Sequence, residues 1–202
     1  GQMYTISGLY LKTDERYAGL FGVLDHTACV KKIKLANSYF ESSVADIGSI
    51  AGWSKGNLDT VYSDAIVKGA TGRTGGLVGQ VNGKEMEYKN CWFDGIVSNS
   101  GNTKADQNTG GLVGILYAGK LTMNNCLNSG TVDVSTYTFD HNTSATVTIA
   151  PIAGGLIGYV VKGTEATVND SVNTGLIKVS NVANTGYGAI FGHIDGKAKA
   201  SN

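Results

Sequence analysis

A five-residue motif that ends in glycine recurs along the chain, and it constrains the fold more than any other feature. Its six copies read "AGLFG", "GSIAG", "GGLVG", "GGLVG", "GGLIG" and "GAIFG", and they close at Gly22, Gly52, Gly79, Gly114, Gly158 and Gly192. Successive closing glycines are 27 to 44 residues apart. A repeat of this length is typical of solenoids and other stacked repeat architectures.

The positions within the motif differ in how freely they vary. The second is always small, the third is always Leu or Ile, and the fourth is always apolar. The residue after the closing glycine changes from copy to copy: Val23, Trp53, Gln80, Ile115, Tyr159 and His193. Constant apolar positions indicate a core, so the variable position is predicted to face outward.

A second element of ten residues follows each of the first five copies. It begins at Leu35, Leu58, Tyr88, Met123 and Val168, and the five copies align without a gap. Its third position is Asn, Thr or Asp, and its last is Val or Ile. Stacked amides can form a ladder between neighbouring coils, and β-branched residues favour strands. We therefore predict an all-β fold, a β-solenoid (β-helix) of about six irregular coils with GLxG repeats.

Several classes of protein are excluded by composition. "TGGLVG" occurs twice, but neither copy is followed by the Lys-Ser/Thr pair or the helix start that a phosphate loop needs. The 16 basic and 16 acidic residues cancel without forming a basic stripe, which argues against nucleic-acid binding. No apolar stretch approaches the roughly 18 residues of a membrane span, so we expect no membrane insertion.

The repeats "YAGLFG", "TGGLVGQV", "TGGLVGIL" and "AGGLIGYV" resemble the GLUG repeat of bacterial surface proteins. The resemblance extends from about Tyr4 to Ile194, and by analogy it implies a right-handed solenoid. It also implies an adhesin-like protein in an extracellular, cell-surface or cell-wall location. The chain is expected to form a single domain over residues 1–202 and to be a fragment, joined to other domains of a parent protein.

Insertions interrupt a solenoid at loops that often lie on its binding face. The longest, residues 133–151, alternates β-formers with polar residues and predicts a hairpin excursion. Its candidate ligand contacts are Tyr137, Phe139, Asp140 and His141; alternatively, the two aromatic residues only pin the hairpin to the solenoid. Trp53 and Tyr159 are the candidate contacts on the coil faces.

Other reactive residues carry weaker signals. Cys91 and Cys126 share one position in adjacent copies and are expected to be buried, reduced thiols. Glu41, Asp64 and Asp94 share the seventh position of the second element, where they could bind Ca²⁺ or act as paired acids; a solvated turn is the simpler interpretation. The three histidines lie in different copies, and no metal site or cofactor is predicted.

Two main functions fit these patterns. The first is a non-catalytic extracellular module for cell adhesion or scaffolding, which presents loops to a host or matrix glycan or protein. The second is a carbohydrate-active β-helix enzyme, similar to a polysaccharide lyase or hydrolase, which would need paired carboxylates about 5 to 10 Å apart. An ice-binding solenoid is a third alternative, but regular Thr columns occur only near the long insertion.

Overall fold

A computed structural model describes residues 3–44, 46–100, 107–135, 151–179 and 186–201. The described residues form 24 strands and no helix, so none of them provides a helix that could span a membrane. The protein is all-β, and every strand pairing is parallel. Parallel strands need long connections, and here each connection passes through the other sheets.

The strands belong to three separate sheets. The first has 13 strands: β1 (Tyr4–Ser7), β3 (Phe21–Leu24), β4 (Cys29–Ala36), β7 (Ala51–Ser54), β8 (Asn57–Ser63), β11 (Val78–Phe93), β14 (Val113–Asn124), β15 (Leu127–Asn128), β18 (Ile157–Val160), β19 (Glu165–Asn169), β20 (Val172–Asn173), β23 (Phe191–Ile194) and β24 (Lys197–Ser201). The second has six: β2 (Tyr10–Thr13), β5 (Tyr39–Ser42), β9 (Ile66–Gly69), β12 (Ile96–Asn99), β16 (Thr131–Val134) and β21 (Ile177–Val179). The third has five: β6 (Ile47–Gly48), β10 (Arg73–Gly75), β13 (Asn108–Gly110), β17 (Ile152–Gly154) and β22 (Gly186–Gly188).

From β4 onward the chain visits the first, second and third sheets in that order and then returns to the first. Each return places the next motif copy beside the previous one. The fourth position of the motif is in register across all six copies: Phe21, Ala51, Val78, Val113, Ile157 and Phe191. The predicted repeat is therefore confirmed as a set of paired strands, while winding into a right-handed solenoid stays a prediction.

The third and fourth positions of the four middle copies form the core, as predicted, whereas in the first copy Phe21 is 39% exposed and in the last copy both residues are only partly buried. Leu77, Leu112 and Leu156 are completely buried, and so are the apolar residues that follow them. The closing glycines lie where the first sheet meets the backbone of the third. A Cβ added to Gly79 would lie 2.5 Å from the Ile47 nitrogen, and one added to Gly114 would lie 2.5 Å from the Gly79 oxygen. Glycine recurs here because two backbones meet, and no side chain fits between them.

The strand pairing of the second element corrects the predicted alignment of one copy. Leu58, Tyr88, Met123 and Val168 are register partners, as predicted. The partner of Leu58 in the preceding copy is Val30, however, and not Leu35. The gap-free alignment was therefore wrong for the first copy by five residues, and the corner between Leu35 and Tyr39 holds one residue more than the corner between Ser63 and Ile66. Glu41 accordingly pairs with Lys68 and not with Asp64.

The third position of the second element is a left-handed corner. Thr60, Asn90, Asn125 and Asp170 have φ angles of 60°, 53°, 53° and 46°. Asn and Asp tolerate this conformation better than other non-glycine residues, which explains why they recur. The predicted amide ladder is present at one step, where Asn125 Nδ2 donates to Asn90 Oδ1 at 2.7 Å. Neighbouring columns add further steps, such as Asn169 Nδ2 to Asn124 Oδ1 at 2.9 Å.

Opposite charges face each other on neighbouring strands. Lys12 lies 2.8 Å from Glu41, Lys89 lies 3.6 Å from Asp59, and Lys178 lies 3.9 Å from Asp133; each couple is also a pair of register partners. Exposed pairs contribute little energy, but like charges placed opposite each other destabilise a sheet. These opposite charges therefore favour one register of the strands.

Two further expectations have different outcomes. Cys91 and Cys126 are free and buried, as predicted. The position after the closing glycine was expected to face solvent in every copy, and this is wrong for two of them. Gln80 is 5% exposed and Ile115 is 1% exposed. The face that they occupy is therefore covered at its middle strands, and only the copies towards its ends remain accessible.

Candidate functional site

Of the six predicted contact residues, the structure describes two, Trp53 and Tyr159. Tyr137, Phe139, Asp140 and His141 lie outside the described residues, as does most of the insertion 133–151. Trp53 in β7 and Tyr159 in β18 belong to one column of the first sheet. Gln80 and Ile115 stand between them, so they are three strand steps apart, or about 14 Å at the usual strand spacing. Each has a separate environment.

Trp53 belongs to a buried polar network. With its amide oriented to satisfy both neighbours, Gln80 accepts a hydrogen bond from Trp53 Nε1 at 3.1 Å and donates one to Asp46 Oδ2 at 2.9 Å. The other oxygen of Asp46 accepts from the backbone nitrogen and the guanidinium of Arg73, at 3.3 and 3.5 Å. Asp46 precedes the third sheet and Gln80 lies in the first, so the network joins the two sheets.

The charge of Asp46 is only partly compensated within this network. Burial raises the pKa of Asp46 above its usual value, while the guanidinium groups of Arg73 and Arg16 act in the opposite direction. The faces of Trp53 are also occupied: the Tyr17 ring lies 5.9 Å away and Lys55 Nζ lies 4.8 Å from the Trp53 ring centre. These contacts indicate that Trp53 mainly holds the sheets together.

Tyr159 belongs to a different, exposed cluster. Its hydroxyl donates to Asp195 Oδ2 at 2.5 Å, and His193 Nε2 lies 3.0 Å from Asp195 Oδ1. The two rings meet edge to face with centres 5.2 Å apart. The hydrogen bond from Tyr159, followed by that from His193, lowers the pKa of Asp195. Asp195 therefore stays ionised at neutral pH and fixes both rings.

This cluster stands at the rim of a groove of about 500 Å³, which we call the turn groove. The groove follows the turns that divide the first sheet, and it is lined by Lys84, Glu85, Gly119, Lys120, Gly163, Thr164, Glu165, Asp195, Gly196 and Lys197. Glu85, Lys120, Glu165 and Lys197 are successive register partners, and Lys120 lies 3.6 Å from Glu165. Its size is within the range of about 300–1,000 Å³ that small-ligand sites occupy.

The turn groove offers donors, acceptors and charges of both signs to a polar ligand. Tyr159 and His193 adjoin the groove through their hydrogen bonds to Asp195, which is one of its lining residues. Over the described ranges, no group of three or more His, Cys, Asp or Glu side chains is placed to hold a metal ion.

Sequence reasoning missed most of these residues. The buried partners of Trp53 lie in other copies, and nothing in the local pattern links Asp46, Gln80 and Arg73. The turn groove did leave a signal, because Gly-Lys recurs after three motif copies, at 83–84, 119–120 and 196–197. Such a recurring pair predicts stacked turns with lysines along one edge, and it could have been recognised.

Comparisons with known proteins bear on the fold of the chain. No protein-family model matches the chain, and no curated protein matches it in sequence. The fold is similar to that of a crystal structure described as a putative immunoglobulin A1 protease from Bacteroides ovatus, with a TM-score of 0.55 and 16% sequence identity. The match covers 99% of this chain and 68% of that chain. At this identity the likeness concerns the fold alone.

Proposed function

We propose that the chain is a right-handed β-solenoid of about six GLUG-type coils and one module of a longer bacterial surface or secreted protein. The constant order in which the chain visits three parallel sheets supports this winding. The in-register stacking of all six motif copies supports the repeat. The likeness to a bacterial protein fits the proposed origin. Handedness rests on the resemblance to the repeat family.

We infer that the module is non-catalytic and acts outside the cell in adhesion or scaffolding, where it contacts a glycan or a protein. The observation that carries this inference is the turn groove with its rim of Tyr159, His193 and Asp195. It combines aromatic edges, paired charges and open space on a regular surface. Such a surface suits recognition of a polar partner.

An array of glycans and extracellular proteins tests the proposal. We expect the wild-type chain to bind a partner, and Tyr159→Ala to weaken that binding about tenfold or more. Tyr4→Ala is the matched control, because Tyr4 is 72% exposed and far from the groove in sequence. Deletion of Tyr137–Ser144 tests the predicted hairpin contacts separately. A folded wild-type chain that binds nothing would contradict an adhesive role and leave scaffolding.

A carbohydrate-active enzyme is the second candidate, because lysines and acids share the turn groove. The ionised state of Asp195 suits a base or an electrostatic group more than a general acid. Incubation with a polysaccharide panel, followed by detection of new reducing or unsaturated ends, tests this alternative. Cleavage that Asp195→Asn or Lys120→Met abolishes would replace the non-catalytic proposal. The name of the structural neighbour adds nothing here, since only its fold is shared.

A further inference from the structure

A column of apolar side chains crosses the first sheet on its outer surface, away from the turn groove. Tyr62, Trp92, Leu127 and Val172 are register partners on β8, β11, β15 and β20. Trp92 is 41% exposed and Val172 is 49% exposed, and the other two are half-buried. The preceding residue in each copy is buried, which establishes that the column points outward. We call these four residues the aromatic stripe.

The two aromatic rings of the stripe are held in fixed positions. Tyr62 and Trp92 meet edge to face, with centres 5.0 Å apart and planes at 80°. Trp92 Nε1 donates to Ser129 Oγ at 2.6 Å, and Ser129 Oγ donates to Asp94 Oδ1 at 2.6 Å. An exposed tryptophan anchored from the next strand loses little conformational entropy when a ligand binds to it. The aromatic rings of the stripe are thus held in place before a ligand binds.

Carboxylates flank the stripe on the same face. Asp64 accepts hydrogen bonds from the Asn37 backbone nitrogen at 2.6 Å and from the Tyr62 hydroxyl at 3.5 Å. Asp94 accepts from Ser129, as described above. Each acid is therefore already engaged within the protein, but a carboxylate has spare lone pairs for further hydroxyl donors. The same charges repel an anionic ligand.

Positive charge stands at one end of the stripe, beside the two carboxylates, so this face carries both signs of charge. Lys34 Nζ lies 5.0 Å from the Tyr62 ring centre and covers one end of the stripe with positive charge. The preferred partner is therefore uncharged, with an apolar face for the rings and hydroxyl groups for the acids. A pyranose ring has both features, because its C–H groups contact the negative face of an aromatic ring and its hydroxyls point sideways.

We propose that the aromatic stripe binds a neutral glycan, whose sugar rings lie over Trp92 and its neighbours along the direction in which the strands stack. The stripe offers an apolar side chain at every strand, about 4.8 Å apart. A polymer of repeated rings can use such contacts in succession. The proposal does not depend on the turn groove, which belongs to other columns of the sheet.

The test uses a panel of neutral, uronic-acid and sulfated oligosaccharides with four proteins: wild type, Trp92→Ala, Trp92→Phe and Tyr159→Ala. We expect the wild type to bind neutral oligosaccharides in preference to charged ones. Trp92→Ala should weaken this binding about tenfold or more, while Trp92→Phe should largely retain it; Tyr159→Ala shows whether the same ligand also uses the turn groove. Thermal unfolding of each variant checks that the fold is intact.

Fluorescence gives a second measurement. The chain has two tryptophans, so Trp53→Phe leaves Trp92 as the only indole. A neutral oligosaccharide should then change the emission of Trp92 with the same midpoint as binding. Binding that Tyr159→Ala abolishes and Trp92→Ala leaves unchanged would overturn this inference and keep the groove proposal. Preference for charged glycans, or binding only to proteins, would also overturn it. No binding at all would contradict both the stripe and an adhesive role.

Discussion

Replacing Gly114 by Ala tests directly why glycine closes every copy of the motif. The backbone of Gly114 is not in the left-handed region, so alanine is conformationally acceptable there. The obstacle is space. An added Cβ would lie 2.5 Å from the Gly79 oxygen, 2.8 Å from the Thr74 nitrogen and 3.0 Å from the Thr74 carbonyl carbon. All three atoms belong to the backbone of two other strands, so no side-chain rotation relieves the contact.

The expected cost follows from two opposing effects. Overpacking a core typically costs about 1–3 kcal/mol, and contact with backbone places this case at the upper end or above it. Alanine also reduces the conformational entropy of the unfolded chain, which raises the free energy of unfolding by about 0.4–1 kcal/mol. The free energy of unfolding should therefore fall by about 2–3 kcal/mol. For a chain of this length, that corresponds to a decrease in Tm of about 4–12 °C.

Gly163→Ala is the control. An added Cβ meets nothing within 4 Å at Gly163, but the φ angle is +87°, so the substitution carries only conformational strain of about 1 kcal/mol. Thermal and urea unfolding of both variants give the comparison. If Gly114→Ala is as stable as wild type, or no less stable than Gly163→Ala, the explanation by backbone contact is wrong.

Three further predictions concern stability. Thr60 is β-branched at φ 60°, so Thr60→Asn should raise the free energy of unfolding by about 1 kcal/mol in urea titration, and Asn90→Thr should lower it similarly. Burial raises the pKa of Asp46 in the folded state above its ordinary value of 3.8. As the pH falls from the folded-state pKa to 3.8, the folded state therefore binds a proton more readily than the unfolded state, which favours folding. Asp46→Asn should therefore lose stability more steeply on acidification than wild type; an unchanged slope would contradict this. For the pair Lys120 and Glu165, single reversals should each destabilise slightly, and the double reversal should restore about 0.5 kcal/mol in a double-mutant cycle.

Much of the fold was predictable because repetition makes the constant positions visible. The apolar third and fourth positions are the ones that stacking must bury, so they vary little, and the structure places those of the four middle copies in the core. The closing glycine is constant because two backbones meet there. The recurrent Asn at the corner was also visible, but its main role is to adopt a positive φ, and the amide ladder comes second.

The errors have physical causes of their own. The first copy of the second element was misaligned because "LANSYFESSV" has the same length as the later copies and a similar pattern, although Leu35 pairs with Ser63 and the partner of Leu58 is Val30. The outward column was misjudged at Gln80 and Ile115 because burial there depends on contacts from other sheets. A single-sequence pattern records the alternation along a strand and carries no information about what covers its outer face.

The same reasoning explains why the candidate sites were the hardest part to predict. Stacking fixes the inward positions in every copy, so function in a repeat protein is left to outward columns that vary from strand to strand. The turn groove and the aromatic stripe are both such columns: each combines residues about 30–45 positions apart in the chain. Repeat alignment finds what is constant and discards what varies. A search for binding sites in a repeat protein should therefore compare the variable residues that are register partners on neighbouring strands, such as Tyr62 with Trp92 and Glu85 with Lys120.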